Sequence, residues 1–392
     1  MGTVLHRNKP AVALADSGGL PTDVLFEVLL RFPAKVLCRL RLVCRSWRSL
    51  TSDPIFARAH ASRHPLVTVI YFSVSSHEVR VVDLSGNIVK RMPLAQPNYA
   101  MTTQLDMVCV TGVFIQNPGS VLDLAAGEAV TALSFRDDVR GTSEVISPFL
   151  LGHVPSTGEY KVFYSDARAV TVYGEEGVHA VQVCSVTTLG DSGDGGRWRA
   201  KPSPPAQIAS SPRERVVVIG VAYFLLSMRC TGNNPTNNVE PDAIAVFDLA
   251  AEEWRPATLQ GPLSSRLAGG NQKLVYEEHR HNIQLAAMDG CLVTVHHNHR
   301  QNGSMDLWFL VDKELWNKRY SIRSATHCYA LRTSYPLLLL DDGRIVIWDE
   351  GVHVLRVYDP RINKWADLAT LETYYVFMNM YQGNLLCPGL PG

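Results

Sequence analysis

Two groups of side chains in this 392-residue sequence have the types that could do chemistry. The first is a set of histidines: His296, His297 and His299 in "VHHNHR", with His279 and His281 upstream in "EHRHN". Neutral imidazoles on two arms of a hairpin are ligands for zinc, but a closed site wants four, and no carboxylate or thiolate stands at a spacing that completes the set. Cys291 is near, yet it follows an Asp-Gly turn on a stretch patterned as core, so the histidines are expected in solvated loops. The second group is Ser192 in "GDSGDGG" and His327 in "SATHCYA". A serine becomes a nucleophile when a histidine takes its proton and a third group orients that base. The Gly- and Asp-rich surroundings of Ser192 read instead as a hairpin loop. Neither a Gly-x-x-x-x-Gly-Lys-Ser/Thr loop nor a Gly-x-Gly-x-x-Gly fingerprint occurs, which leaves nucleotide binding without support. The expectation is no catalytic residue, no metal ligand and no cofactor.

The 37 basic and 37 acidic side chains cancel, so no global field draws in nucleic acid or an acidic membrane. No apolar run approaches the roughly 18 residues of a membrane span, and the first residues lack the apolar core of a secretory signal, which points to cytoplasm or nucleus. The eight cysteines are scattered without a Cys-x-x-Cys pair, as expected of reduced, mostly buried thiols.

The elements that would position any site fall into two textures. From Leu20 to Leu50 the chain is Leu-rich and basic. Pro21 opens a helix in which Leu25, Val28, Leu29 and Phe32 share a face at i, i+3, i+4 and i+7. Pro33 ends it and starts another; Leu40, Val43, Cys44 and Trp47 carry the stripe through a bend until Asp53-Pro54 stops the run. Two or three such helices are too small to cover all of that face alone, so part of it is expected to meet a partner. Arg31, Lys35, Arg39, Arg41, Arg45 and Arg48 would suit phosphates, but they are interleaved with the apolar stripe and no Asn or Gln stands beside them to read bases. A protein partner fits better than DNA.

After Pro65 the chain becomes short β-branched runs separated by Gly, Asp and Asn, such as "LVTVIYFSV", "RVVVIGVAYFLL" and "VLRVYD". "AVFDLAAEEWRPATL" and "RVYDPRINKWADLAT" repeat an aromatic, an Asp (Asp248, Asp359), five residues and a Trp (Trp254, Trp365); "FLVDKELW" is a shortened version with Asp312 and Trp316. The Asp is expected to close a turn on backbone N–H groups and the Trp to pack against the next sheet. "LAAMDGCLVTV" and "LLLLDDGRIVIW" read as inner hairpins, so inner plus outer hairpin gives a four-stranded blade, about six of them with seven as the alternative. "YYVFMNMYQGNLL" has an inner-hairpin outline and "EVRVVDLSGNIVKRMPL" an outer one; joining them would close a ring without open edges. "KPSPPAQIASSPRER" reads as a loop between blades, with Ser203 and Ser211 as weak phosphorylation candidates.

The segment "LPTDVLFEVLLRFPAKVLCRLRLVCRSWRSLTSDPIFARAH" resembles an F-box, and the remainder resembles the F-box-associated, kelch-like β-propellers of plant F-box proteins, notably in "GEYKVFYSD", "IAVFDLAAEEW" and "LWFLVDKELWNKRYSI". The resemblance implies an α+β multidomain chain: a disordered tail over 1–17, an all-α F-box helical module over 18–62 and an all-β propeller over 66–392. It implies that Leu20, Pro21, Leu25, Leu29, Pro33, Leu37, Leu40, Val43 and Trp47 contact a Skp1-like adaptor and, through it, a cullin-RING ligase core. The propeller would bind an unknown protein substrate by its loops, making the chain a non-catalytic substrate receptor of a ubiquitin ligase. A propeller enzyme and a non-ligase scaffold are the alternatives.

Overall fold

The computed structural model of the chain describes residues 21–73, 76–112, 119–133, 149–171, 178–190, 197–227, 242–263, 282–298, 303–312, 314–323, 333–373 and 375–383. Its contacts separate a helical unit ending at His64 from a β-unit over Pro65–Gly383.

The helical unit has four helices: α1 (Thr22–Leu29), α2 (Ala34–Leu40), α3 (Arg45–Thr51) and α4 (Pro54–Arg63). Pro21 and Pro33 stand just before α1 and α2, where a missing N–H costs nothing. Asp53-Pro54, expected only to stop the run, also starts α4. The Asp53 carboxylate accepts the Ile55 N–H at 2.7 Å and Pro54 takes the first helical position, so one dipeptide ends α3 and caps its successor. The fourth helix supplies Phe56, edge-on to Phe26 at 5.1 Å, and closes a core of Leu25, Leu29, Leu30, Leu37 and Phe56. It also supplies His60 and His64, whose Nε2 atoms each lie 2.9 Å from a carbonyl, that of Phe32 and that of Leu30. A carbonyl only accepts, so both rings donate from Nε2 and satisfy groups left open where α1 ends.

The β-unit opens with β1 (Leu66–Phe72), β2 (His77–Asp83) and β3 (Ile88–Pro93). The second blade is β4 (Asn98–Gln104), β5 (Met107–Gly112), β6 (Ser120–Asp123) and β7 (Glu128–Ala132). The third is β8 (Phe149–His153), β9 (Tyr160–Thr171), β10 (Val178–Thr188) and β11 (Arg199–Lys201); the fourth is β12 (Arg215–Val218), β13 (Val221–Leu225), β14 (Ile244–Asp248) and β15 (Glu253–Trp254). The fifth is β16 (Ile283–Met288), β17 (Cys291–Asn298), β18 (Ser304–Asp312) and β19 (Leu315–Arg323); the sixth is β20 (Ser334–Leu339), β21 (Ile345–Asp349), β22 (Val354–Asp359) and β23 (Lys364–Thr370). The last strand, β24 (Tyr375–Tyr381), pairs antiparallel with β1, giving six four-stranded sheets.

The innermost strands β24, β4, β8, β12, β16 and β20 each lie beside two others, closing a six-bladed β-propeller. Closure differs from expectation in one respect. The C-terminal run gives a single inner strand, and the second strand of that blade is Leu66–Phe72, a continuous β-branched and aromatic run that needs no hairpin of its own. The expected outer pair, β2 and β3, stands as read.

The repeated Asp and Trp have the same task each time. Asp83 accepts the Ser85 and Asn87 N–H groups, Asp123 that of Ala126, Asp248 those of Ala250 and Ala251, and Asp359 that of Arg361, all at 2.8–3.0 Å. Nε1 of Trp254 donates to the Pro202 carbonyl (3.0 Å), that of Trp316 to Gln260 (2.8 Å) and that of Trp365 to Arg323 (3.0 Å). Each acceptor follows or ends the outer strand of the preceding blade, so the Trp reaches backward and not to the next sheet. The chain order explains it: the preceding blade's outer strand ends close by, and the carbonyls at or after its end accept the indole N–H.

Candidate functional site

The helical unit turns its long aliphatic residues both ways. Leu25, Leu29 and Leu37 are buried in the unit's own core, and Leu40 and Trp47 are half-buried against it. Pro21, Pro33 and Val43 are exposed, Val43 at 63%; Leu20 lies outside the described residues. The predicted contact residues therefore divide into three at the surface, two at its edge and three beneath it. Sequence reasoning missed the rest of the surface. Val24 and Val28 on α1 and Phe32 in the turn after it are exposed at four-residue spacing, beside the buried Leu25/Leu29 row, and Leu42, in the turn after α2, is 87% exposed. The available signal was that Val28 and Phe32 widen the apolar stripe of Leu25 and Leu29 beyond what a small helical core can bury. Exposed aliphatic groups at this density are what a protein contact surface looks like. Arg31, Lys35, Arg39, Arg45 and Arg48 are exposed around it, while Arg41 donates to the Ser52 hydroxyl.

The β-unit has two unlike faces. Four antiparallel strands return the chain to the face it left, so all innermost strands begin on one face. That face carries the longer connections, from Ala132 to Phe149, Leu225 to Ile244, Trp254 to Ile283 and Arg323 to Ser334, whose residues lie mostly outside the described set. The other face is made largely of tight turns, such as Ile219-Gly220 and Asp289-Gly290, each with two consecutive left-handed residues that match strand twist. Binding residues concentrate on connections held by a rigid scaffold.

His296 and His297, expected in a solvated loop, are buried on β17 in mid-sheet. The apolar run "CLVTV" simply continues through them, and His297 hydrogen-bonds by its backbone N–H to the Asn282 carbonyl. His279, His281 and His299 lie outside the described residues, as do Ser192 and His327. Cys291, read as core, is half-buried at the first position of β17; Cys109 and Cys184 are buried, and their thiols are pushed up to about 12 by burial. Cys38 is exposed. Among the described residues no group of three or more His, Cys, Asp or Glu is placed to hold a metal ion, and no helix is long and apolar enough to cross a membrane.

Ionic chemistry concentrates between the third and fourth blades. Glu252 accepts from Lys161 Nζ (2.9 Å), Lys201 Nζ (2.7 Å) and the Arg199 guanidinium (Nε at 3.0 Å). Burial alone would raise this carboxyl, but the three cationic donors outweigh it and hold it far below the usual carboxylate range. Glu252 sits four residues after the turn Asp, in a left-handed conformation (φ 57°) that Gly127 and Asn363 occupy in the corresponding turns.

Residues 18–58 match the family described as "F-box domain". An F-box protein of Arabidopsis thaliana is 22% identical over 402 residues, spanning 89% of this chain and 87% of the relative. An F-box/kelch-repeat protein of the same plant is 52% identical over 42 residues, 11% of this chain and 12% of that one. A further F-box protein from it is 24% identical over 275 residues, covering 61% and 73%.

Proposed function

Because the chain carries an F-box domain at its N-terminus and a six-bladed β-propeller after it, we propose that it is the substrate-recognition subunit of a Skp1–cullin–F-box ubiquitin ligase. The observation that carries the reading is the match over residues 18–58 falling on a helical unit that leaves Val24, Val28, Phe32, Leu42 and Val43 uncovered. In this reading a Skp1-like adaptor covers those groups with Pro21, Pro33, Leu40 and Trp47, while Leu25, Leu29 and Leu37 hold the surface in shape from inside. The propeller binds the target protein on its long-connection face. The chain makes and breaks no bond; it raises the concentration of a target beside a ubiquitin-loaded enzyme, a gain that grows with how firmly both ends are held. The work is done in cytoplasm or nucleus.

The test is co-purification with a Skp1-type adaptor. Replacing Leu42 and Val43 by Asp changes only exposed groups, so the helices should keep their circular-dichroism spectrum. Apolar anchors are worth about 2 kcal/mol each, which corresponds to a loss of roughly thirtyfold or more in adaptor affinity for even one of them. Adaptor capture at wild-type level by the double variant, or no capture by the wild type, would overturn the reading.

A further inference from the structure

Between β11 and β12 the chain runs through the Pro- and Ser-rich segment, which is firmly held. The Ile208 N–H donates to Oε1 of Gln182 (2.7 Å), whose Nε2 donates back to the Ile208 carbonyl (3.2 Å). The Ala209 N–H donates to the Leu225 carbonyl (2.8 Å) and the Ser227 N–H to that of Gln207 (2.7 Å). These ties set a single 3₁₀ turn, Pro212–Glu214, at the mouth where the innermost strands begin, against β4 and β16 as well as β12. In ring order β24 stands opposite β12. Arg213 reaches across: its Nη1 is 3.5 Å from the Met378 carbonyl on β24, and its guanidinium lies between the Tyr335 ring on β20 (3.8 Å to the centroid) and the Phe377 ring on β24 (4.5 Å).

The guanidinium is poorly served there. Nη2 is sealed from solvent and meets no acceptor among the described residues. The Nη1 contact is at the limit of a hydrogen bond, and the Tyr335 hydroxyl, which donates to the Leu285 carbonyl at 2.8 Å, is the one neutral side-chain acceptor the guanidinium meets among the described residues, leaving Nη2 unserved. Arginine stays charged and carries five N–H donors, and a buried charge without a hydrogen-bonded partner is strongly unfavourable. Contact with two aromatic rings offsets part of the cost of desolvating the ion but supplies no hydrogen-bond acceptor for Nη2. Arg215, two residues on, donates to the Phe149 carbonyl (2.9 Å) and adds a second positive charge near the mouth. Among the described residues the acidic side chain whose field supports Arg213 is Glu350, which is exposed. A guanidinium held against two aromatic rings with Nη2 unspent offers the charge-assisted donor that a carboxylate or phosphate accepts from.

We propose that the mouth of the propeller ring binds an anionic group, a carboxylate or a phosphate, through the Arg213 guanidinium clamped between Tyr335 and Phe377. This deepens the target-recognition reading and rests on it only for the anion being carried by a protein. Adaptor docking has no part in it.

The test uses the full chain at constant ionic strength, with sodium chloride as reference, inorganic phosphate in one arm and glutarate in the other. A saturable rise in the propeller's melting temperature with either ion is expected. A response to phosphate alone points to a phosphorylated target, and one to glutarate alone to an Asp- or Glu-bearing target. Arg213→Met keeps much of the side chain's bulk and drops the charge. It should weaken anion binding at least about tenfold, the loss of one charge-assisted hydrogen bond, while leaving the ion-free melt unchanged or higher. If Arg213 is only a structural plug, the wild type shows no anion response and Arg213→Met melts lower; that result overturns the proposal. Should the variant not fold, hydrogen exchange of the wild type decides: either ion must slow exchange at 334–339 and 375–381, and lack of protection there overturns the proposal as well. Adaptor capture, measured in parallel, separates the two readings, since its loss with an intact anion response tells against the ligase and not against the mouth.

Discussion

Ring closure rests on one strand, and removing it should unfold the whole propeller. A chain stopped after Thr373 lacks β24, the innermost strand of the first blade, paired with β1 from Leu66↔Tyr381 to Tyr71↔Tyr375. Four side chains go with it, Tyr375, Phe377, Met378 and Tyr381, each with at most 9% of its surface exposed. At about 1.5–3 kcal/mol for burying a side chain of this size, their loss amounts to about 6–12 kcal/mol. The bonds from Thr103 Oγ1 to the Met380 carbonyl (3.0 Å), from Asn379 Nδ2 to the Met101 carbonyl (3.1 Å) and from the Tyr381 hydroxyl to Asp106 go as well. A whole domain is stable by about 5–15 kcal/mol, so the deletion removes most or all of what holds the ring. Val67, Val69 and Ile70, now fully buried, would be left on an open edge, which adds aggregation to unfolding. The assay is a circular-dichroism melt of the full chain, the chain stopped after Thr373 and the chain stopped after Gly383, which keeps β24. The last should melt like the full chain and the first should show no cooperative β transition. A Thr373-terminated protein that melts within a few degrees of the full chain would refute the closure argument.

Two further outcomes follow from titrating groups. The Glu252 carboxyl is depressed in the folded state, so its contribution is present above the ordinary carboxylate range near 4.3 and is lost as pH falls through and below it. Glu252→Gln should lower propeller stability at pH 7 by about 2–3 kcal/mol, less than a fully buried pair because Arg199 and Lys201 are partly in solvent, and should flatten the loss of melting temperature between roughly pH 5 and 3; equal acid sensitivity in variant and wild type would tell against it. In the helical module, burial lowers the His60 imidazole, against the opposing bond to the Phe32 carbonyl and with a further push from His64. Its neutral form is therefore favoured by folding, the contribution is present above about 6.5 and falls away as pH drops through the lowered value. Hydrogen exchange of α1 and α4 should quicken between roughly pH 7 and 5, and His60→Gln should remove most of that dependence.

Much of this organisation was legible because it is written in local chemistry. Pro21, Pro33, the repeated turn Asp residues and the Asp289-Gly290 turn each act within a few residues of themselves, and each stands where the sequence reading puts it. What was misread depended on tertiary neighbours. "RVVVIGVAYFLL" looks like one strand, but Gly220 lets the chain turn with Ile219 forced left-handed at φ 46°, splitting it into β12 and β13. The His296-His297 pair reads as polar until β17 is seen flanked on both sides by strands that bury it. Which leucines of the helical unit point inward likewise depends on α4, whose Phe56 lies beyond the basic run. Arg213 could not be found at all, since "SPRER" gives no hint that two strands from distant blades will enclose it.

The six blades are joined by different locks, and that difference bears on how the protein can work. Trp indoles key the fourth blade to the third, the fifth to the fourth and the sixth to the fifth. Glu252 adds an ionic tie at the first of these junctions. Elsewhere the Leu151 N–H donates to Thr102 Oγ1 (3.0 Å) between second and third blades, and Lys90 Nζ donates to the Ala125 carbonyl (2.9 Å) between first and second. Between sixth and first, a β-carbon at Gly86 would stand 3.1 Å from that of Ala369; with φ at +83° as well, only glycine fits this close approach. Most of these locks lie on strands or in short turns; the Trp316 lock ends on Gln260, six residues into the connection from Trp254 to Ile283. Sequence can change wherever a connection carries no such group without unlocking the ring. The helical unit has no such freedom, because Leu25, Leu29, Leu37 and Phe56 must pack together before Leu42 and Val43 are presented at all. The proposed receptor role asks for this division, a fixed surface for a shared adaptor and a ring whose connections can vary with the target.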